Sequence, residues 1–470
     1  MRLGGEFFKK VIPENLKKVW SEGRFSEALL CTDSREIRQD SFFWPLPGEK
    51  FDGHDFIPKA LEKGMRGFVF SKHLPGELIQ KAKDFGCCVV EVKDTLRALQ
   101  EWAQSHRRSC KAKVVAITGS NGKTTCKNIL ASILSQKYKT VYSKKSFNNH
   151  VGVPMTLLEM DEKTEYAVVE MGMNHRGEIA SLMKMAEPDM GVLTNVTTAH
   201  LGHFKNFEEL VESKGEMALE MKPGKILIYN ISVRSYAPFN RGVGSSGVTF
   251  GTLGSGADYM YDKPRNTQEG LSVSLSCKGK SLELDYPGLG LHNAENITAV
   301  TAAALELGLA PELIRSGLKR FPQQSMRMER IWLKDILIIN DAYNANPASM
   351  ESAVQTLNDM KVSGRKWMVV GNMNELGDFA REFHLKIAQQ IRETSFHAVY
   401  TFGADAREIT GYLKANSSME ARHFEDKKEM AEQLFRGLEA GDVLLLKGSR
   451  GNALETIQKD LFEKAGVPHV

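Results

Sequence analysis

At 470 residues the chain is too long for one ordinary hydrophobic core, and at about 150 residues per domain it predicts roughly three. Hydrophobic residues make up 42% and charged residues 26%, the balance of a soluble globular protein, and a net charge of +4 argues against a nucleic-acid partner. No window reaches the ~18 apolar residues of a membrane span, the N-terminus lacks a signal-peptide core, and the six cysteines show no CxxC spacing, so a cytoplasmic protein without membrane insertion is expected.

From Leu29 to Val92 short strands alternate with short helices, with GFVFS and CCVVEV the clearest strands, predicting a small α/β unit. Its polar cluster Thr32, Asp33, Ser34 and Arg35 follows an apolar run and is either a cap with a surface ion pair or a ligand site. A helix over DTLRALQEWAQSHRR follows, and a boundary is placed near Lys93. The basic residues from His106 to Lys113 read as a solvated helix end.

The stretch Val114 to Leu134, VVAITGSNGKTTCKNILASIL, reads as strand, loop and helix. Gly119, Ser120, Asn121 and Gly122 let the backbone approach an anion, Lys123 adds a charge, and Thr124 or Thr125 can place a hydroxyl on Mg²⁺. The general P-loop pattern would require glycine at Ile117, so this is the shorter TGxxGKTT form. EYAVVEMG, PDMGVLTNV and GKILIYN continue a parallel sheet covered on both faces, and ligands bind at the carboxyl ends of such strands. Glu170 and His200 lie at or just past such ends, whereas Lys214 on a following helix reads as solvated on composition alone. LSVSLSC and LELDY alternate around KGKS as an antiparallel hairpin, expected as an excursion from the parallel sheet. Asn293 and Asn296 open an alanine-rich helix as caps or as readers of an adenine edge.

From about Gln324 the strands DILIIND, KWMVVGN, AVYTFG and DVLLLKG predict a second doubly wound sheet. Polar residues follow each strand: Asp341, Tyr343 and Asn346; Asn374 and Glu375; Asp405; Arg450. They suggest a second substrate edge.

In this order, TGSNGKTT, NNHVGVPMTLL, VVEMGMNHRGEI, LTNVTTAHLGHF, SKGEM, GLHNAENITA, MRMERI, INDAYNANPASM, GNMNELG and KGSRG resemble the Mur ligases of peptidoglycan synthesis. DAYNANPASM and GNMNELG resemble the dipeptide-adding branch, and the DNPR motif of the diaminopimelate-adding branch is absent. The resemblance implies an α/β protein of three domains. These are a small N-terminal nucleotide-sugar domain (1–93), a central P-loop parallel-sheet ATPase domain (94–323) and a C-terminal Rossmann-like domain for the dipeptide (324–470).

The resemblance also implies roles. Lys123 and Thr124 would serve the ATP phosphates and Mg²⁺, Glu170 and His200 would be metal ligands, and Lys214 would carry a carbamate. Asn293, Asn296, Arg327 and Asp341 would hold adenine, phosphate and ribose. Asp33, Ser34 and Arg35 match the uridine-nucleotide motif, and Asn148, Asn149 and His150 a segment near the muramoyl-peptide. Tyr343, Asn346, Asn374, Glu375 and Arg450 are candidates for the dipeptide. The implied reaction is ATP-dependent joining of D-alanyl-D-alanine to UDP-N-acetylmuramoyl-tripeptide through an acyl phosphate, by a monomer. The rival readings are another ligase of this family or a folylpolyglutamate synthetase, a P-loop phosphotransferase, and a nucleotide-dependent switch.

Overall fold

The computed structural model describes residues 5–23, 28–48, 50–197, 204, 206–240, 245–266, 270–322 and 324–468. Three sheets follow one another along the chain. The first contains β1 (Leu16–Glu22), β2 (Leu29–Cys31), β3 (Ser41–Phe43), β4 (Gly67–Phe70) and β5 (Cys88–Val92), in the order β1-β5-β4-β3-β2. All pairs are parallel except β1, which runs antiparallel along β5. Phe42, Phe43, Phe68, Val69, Val89 and Val90 are fully buried because both faces are covered, which is why these strands read as unbroken apolar runs.

The helix Thr95–Ser109, capped by Asp94, is a shared wall. Its Trp102 stacks on Trp44 of the first unit with ring centroids 5.2 Å apart, and the Trp44 indole N–H donates to the Thr95 carbonyl at 2.7 Å. Its other side meets the helices Gly152–Leu158 and Glu178–Ala186. The expectation of a solvated basic end needs correcting at Arg107. That guanidinium is buried, donates to the carbonyls of Ala112, Ala186 and Glu187, and pairs with Asp189 at 2.9 Å. Turned inward, it satisfies strand and helix ends that would otherwise be buried without partners.

The second sheet contains β6 (Lys113–Thr118), β7 (Thr140–Tyr142), β8 (Tyr166–Glu170), β9 (Met190–Leu193), β10 (Lys225–Asn230), β11 (Ser245–Thr252), β12 (Tyr259–Tyr261), β13 (Arg265–Asn266), β14 (Leu271–Cys277) and β15 (Lys280–Tyr286). Its order is β13-β14-β12-β11-β10-β9-β6-β8-β7, with β15 on β14. From β7 to β12 every pair is parallel, and β13 to β15 are added antiparallel. The hairpin expected as an excursion therefore prolongs the same sheet, with Leu271, Val273, Leu275 and Cys277 buried on one face. Strand β6 lies between β8 and β9, so the loop leaving it opens into the crevice where the winding reverses. The helices Lys123–Leu134 and Asn293–Glu306 cover one face through Ile129, Leu130, Ile133, Ile297 and Val300.

The third sheet contains β16 (Glu329–Leu333), β17 (Ile336–Asp341), β18 (Lys366–Gly371), β19 (Ala398–Phe402), β20 (Glu420–Phe424) and β21 (Val443–Lys447), in the order β16-β17-β21-β18-β19-β20. All pairs are parallel except β16 with β17. Among the described residues no helix is long and apolar enough to cross a membrane.

Candidate active site

Two glycines shape the loop after β6. Gly119 has φ +144° and Gly122 has φ +79°, and a Cβ on them would lie 1.9 Å from Thr194 Oγ1 and 2.0 Å from Asn296 Oδ1. Only glycine fits either place. The loop is pinned from β9: Ser120 N–H donates to the Asn195 carbonyl at 2.8 Å, Asn121 N–H to Asn195 Oδ1 at 2.9 Å, and Thr194 Oγ1 to the Asn121 carbonyl at 2.6 Å. The helix Lys123–Leu134 that follows has no side-chain cap, so its first N–H groups are left available to an anion. Lys123 Nζ donates to the carbonyls of Gly119 and Ser120 at 2.8 and 3.0 Å, and burial pushes its pKa down.

Glu170 ends β8, next to β6, and is buried. Its Oε1 accepts from Asn148 Nδ2 at 2.9 Å, while Oε2 has no hydrogen-bond partner among the described residues and lies 3.8 Å from Lys127 Nζ. Lys127 donates to the carbonyls of Ser143 and Lys145, both at 2.6 Å, and burial lowers its pKa to about 8. Lys214, on the helix Phe207–Glu220, is buried rather than solvated, with Nζ 3.4 Å from the Gly119 carbonyl. Burial, with Lys123 nearby, holds its pKa well below the ordinary lysine range. His200 lies outside the described residues. Among those described, no three His, Cys, Asp or Glu side chains converge as a metal cluster.

A cavity of about 540 Å³ opens over the loop and is roofed by the third sheet. It is lined by Ser120 to Thr125, Asn148, Glu170, Asn293, Asn296, Arg327, Asp341, Tyr343 and Asn346. Residues singled out by the sequence in the second and third units thus meet in one space. Arg327 Nη2 donates to Thr124 Oγ1 at 3.0 Å and its guanidinium lies over the Tyr343 ring, 4.2 Å from the centroid. Tyr343 Oη donates to Ser146 Oγ at 2.7 Å, and Asn346 Nδ2 to Asn121 Oδ1 at 2.7 Å. Asn346 also caps the helix Pro347–Asp359. Asp341 pairs with Lys447 at 2.8 Å and accepts from Met328 N–H at 3.1 Å. Tyr343 and Asn346 therefore face the phosphate loop, at the seam between the two sheets.

Other expected residues stand apart from the cavity lining. Asn149 Oδ1 accepts from Val151 and Gly152 N–H at the start of the helix Gly152–Leu158, and the His150 carbonyl accepts from Gln100. Asp33, Ser34 and Arg35 form a turn after β2, where the Arg35 guanidinium holds the Asp33 carboxyl down at about 2. On the rim of the third sheet Asn374 N–H donates to Ser449 Oγ at 2.9 Å, Glu375 has φ +65°, and Arg450 pairs with Glu455.

Sequence reasoning passed over Lys127, Ser146, Thr197, Glu295 and Gln324. Lys127 had a signal: it stands four residues after Lys123, beside Cys126 on the apolar face of its helix, where a lysine must find buried partners. Glu295 accepts from Asn195 Nδ2 at 3.3 Å and from Asn230, and burial lifts its carboxyl to about 6.

Family models match all three units: "Mur ligase family, catalytic domain" over residues 28–107, "Mur ligase middle domain" over 117–304 and "Mur ligase, glutamate ligase domain" over 326–450. The UDP-N-acetylmuramoyl-tripeptide–D-alanyl-D-alanine ligase of Bacillus subtilis (strain 168) is 35% identical over 459 residues, covering 97% of this chain and 98% of the relative. The chain belongs to the Mur ligase family. Among solved structures this Mur ligase is similar to MurF from Acinetobacter baumannii, with TM-score 0.85, 28% identity and coverage of 98% and 100%. It is also similar to MurF ligase from Thermotoga maritima in complex with ADP, with TM-score 0.80, 26% identity and coverage of 93% and 98%. The three-domain architecture expected from the sequence motifs is the one this Mur ligase has.

Proposed function

We propose that this Mur ligase joins D-alanyl-D-alanine to UDP-N-acetylmuramoyl-tripeptide at the expense of ATP, forming ADP and phosphate, as a step of peptidoglycan synthesis in the cytoplasm. The observation that carries the reading is the single cavity in which the phosphate loop, the half-partnered Glu170 and the third-sheet residues Arg327 and Asp341 meet. Its similarity to the dipeptide-adding ligase of Bacillus subtilis extends over 97% of the chain. Six free thiols suit a reducing compartment.

A carboxylate is a poor electrophile, so the reaction needs two steps. A terminal carboxylate oxygen attacks the γ-phosphorus, the bond to the β-phosphate bridging oxygen breaks, and ADP leaves. The neutral amine of the dipeptide then attacks the acyl carbon, phosphate departs with its oxygen, and the amine loses a proton. Lys123 and the first N–H groups of the helix Lys123–Leu134 offset the charge that gathers where anions meet. Arg327 moves from Thr124 to the phosphates, which brings the third sheet over the acyl phosphate and limits water.

The chain's donors suit Mg²⁺: hard oxygens from Glu170 Oε2, which is buried without a hydrogen-bond partner among the described residues, and from the Thr124 hydroxyl. When bound there, Mg²⁺ would supply charge neutralisation for the transferred phosphoryl group. Burial lowers the Lys214 pKa and so favours the neutral amine, the form that adds CO₂ to give a carbamate and release a proton. Labelling with ¹³C-bicarbonate should give a carbamate resonance that Lys214→Arg lacks, and an unchanged resonance would remove that role. Asp33, Ser34 and Arg35 in unit 1–93 receive the uridine nucleotide, Asn148, Asn149 and His150 in 94–323 approach the muramoyl-peptide, and Asn374, Glu375 and Arg450 in 324–470 border the dipeptide. Omitting ATP, the nucleotide tripeptide or the dipeptide in turn tests the whole: phosphate release should require all three, and release without the dipeptide would favour a hydrolase or phosphotransferase.

A further inference from the structure

The segment after β18 carries Asn374 and Glu375, both exposed, between Met373 and Leu376, which are buried. Three consecutive N–H groups there are each received by a side chain from elsewhere in the third unit. Asn372 N–H donates to Asn452 Oδ1 at 3.0 Å, Met373 N–H to His384 Nε2 at 3.2 Å and Asn374 N–H to Ser449 Oγ at 2.9 Å. Ser449 and Asn452 follow β21 and flank Arg450, so two of these bonds tie one part of the rim to another. The third comes from a different element, the helix Ala380–Arg392. Glu375 has φ +65°, a left-handed backbone that a residue with a side chain keeps only where its surroundings fix it.

His384 is fully buried, and both ring nitrogens are engaged. Nδ1 donates to the Ala380 carbonyl at 2.7 Å, a group that can only accept, while Nε2 meets the Met373 N–H, which can only donate. The two partners select one form of the ring, neutral with its proton on Nδ1. Burial favours that form by pushing the pKa down, against the Ala380 carbonyl and the carboxylates of Asp405 and Glu408, which favour the charged ring. A helix position that only packed would take an apolar side chain, because every buried ring nitrogen must find a partner. Here the acceptor meets the residue next to Asn374.

We propose that His384 is a positioning residue for the dipeptide: by holding the Met373 N–H it sets where Asn374 and Glu375 stand on the substrate edge. This rests on the reading of those two residues as a border of the dipeptide and adds the group that fixes their geometry. Without the acceptor a buried N–H is left unmet, and the segment must shift to find water or another partner. The loss falls on dipeptide binding and spares the phosphate loop, which belongs to another sheet.

The test measures KM and kcat for each substrate in the full-length protein carrying His384→Met, His384→Asn or His384→Gln, by phosphate release with the other two substrates saturating. Methionine removes both polar contacts. Asparagine keeps a polar group for the Ala380 carbonyl but stops short of Met373, whereas glutamine carries an acceptor oxygen out to the place of Nε2. His384→Met and His384→Asn should each raise the KM for D-alanyl-D-alanine by about ten- to a hundredfold, with kcat and the KM values for ATP and the nucleotide tripeptide within about threefold of wild type. His384→Gln should bring the dipeptide KM back to within about threefold of wild type. Equal losses for all three substrates, no recovery with glutamine, or failure of both the methionine and the asparagine variant to fold makes the position merely structural and overturns the role. Asn374→Ala and Glu375→Ala separate the two readings. A raised dipeptide KM in either, with none in His384→Met, ends the role of His384 alone; no rise in any of the three ends the reading of this edge as the dipeptide border.

Discussion

Lys123 is the residue on which the phosphate end depends most directly. Its ammonium rests on two loop carbonyls, with the Glu170 carboxylate acting on it at longer range, so Lys123→Ala removes a buried charge that makes no direct ion pair among the described residues. Phosphate release should fall by about 10³-fold or more while the circular dichroism spectrum stays that of the parent, and near-normal turnover would remove the loop from the chemistry. Glu295 makes a pH-dependent contribution. Its folded carboxyl holds a proton up to about 6, against an ordinary value of 4.5, so between these limits the folded state binds more protons than the unfolded chain. Its contribution to stability is therefore complete below pH 4.5 and is lost as pH rises through about 6. Glu295→Gln has no proton to lose, so thermal melts should show the difference in Tm moving in its favour from about pH 4.5 to about pH 6.5. At this scale the sequence exposed residues whose type and spacing announce phosphate chemistry, Gly119 to Thr125 and Glu170. It could not expose His384 or Lys127, because a lone histidine or lysine takes its meaning from what surrounds it in three dimensions.

The strand, loop and helix built from β6 and Lys123–Leu134 stands or falls on Gly122. A side chain there must adopt φ +79° and displace Asn296, whose amide also bonds Asn293 in the first turn of the covering helix Asn293–Glu306. Gly122→Ala should cost about 1–2 kcal/mol from the backbone alone, seen as a lower urea midpoint, and should weaken ATP binding by at least about tenfold, seen by calorimetry. Unchanged binding would mean that the loop tolerates rearrangement. Central strands such as β6, β8, β17 and β21 were legible because burial on both faces demands unbroken apolar runs. Strands β16 and β20 were not. They are sheet edges whose sequences, ERIWL and EARHF, carry charged residues and are only partly buried, so no long apolar run marks them. β1 was missed for the same reason, as its exposed Lys17 and Lys18 hide a strand paired along β5.

Across the whole molecule, the second and third sheets meet through Asn121 with Asn346, Ser146 with Tyr343 and Thr124 with Arg327. Asn346→Ala removes one of these bonds and a helix cap worth about 1 kcal/mol. Small-angle scattering without nucleotide should report a larger radius of gyration than the parent, and an identical radius would show that the seam does not depend on this pair. Motif order was enough to expose three units, but not this seam, because polar pairs more than 190 residues apart in sequence leave no periodic trace. The bond from Arg327 to Thr124 also sets a clock. In the proposed reaction that hydroxyl would also serve the triphosphate and its cation, so binding would include a unimolecular parting of the two groups as well as a collision. The observed rate of association of a fluorescent ATP analogue, followed by stopped flow, should then level off with concentration at the frequency with which that contact breaks.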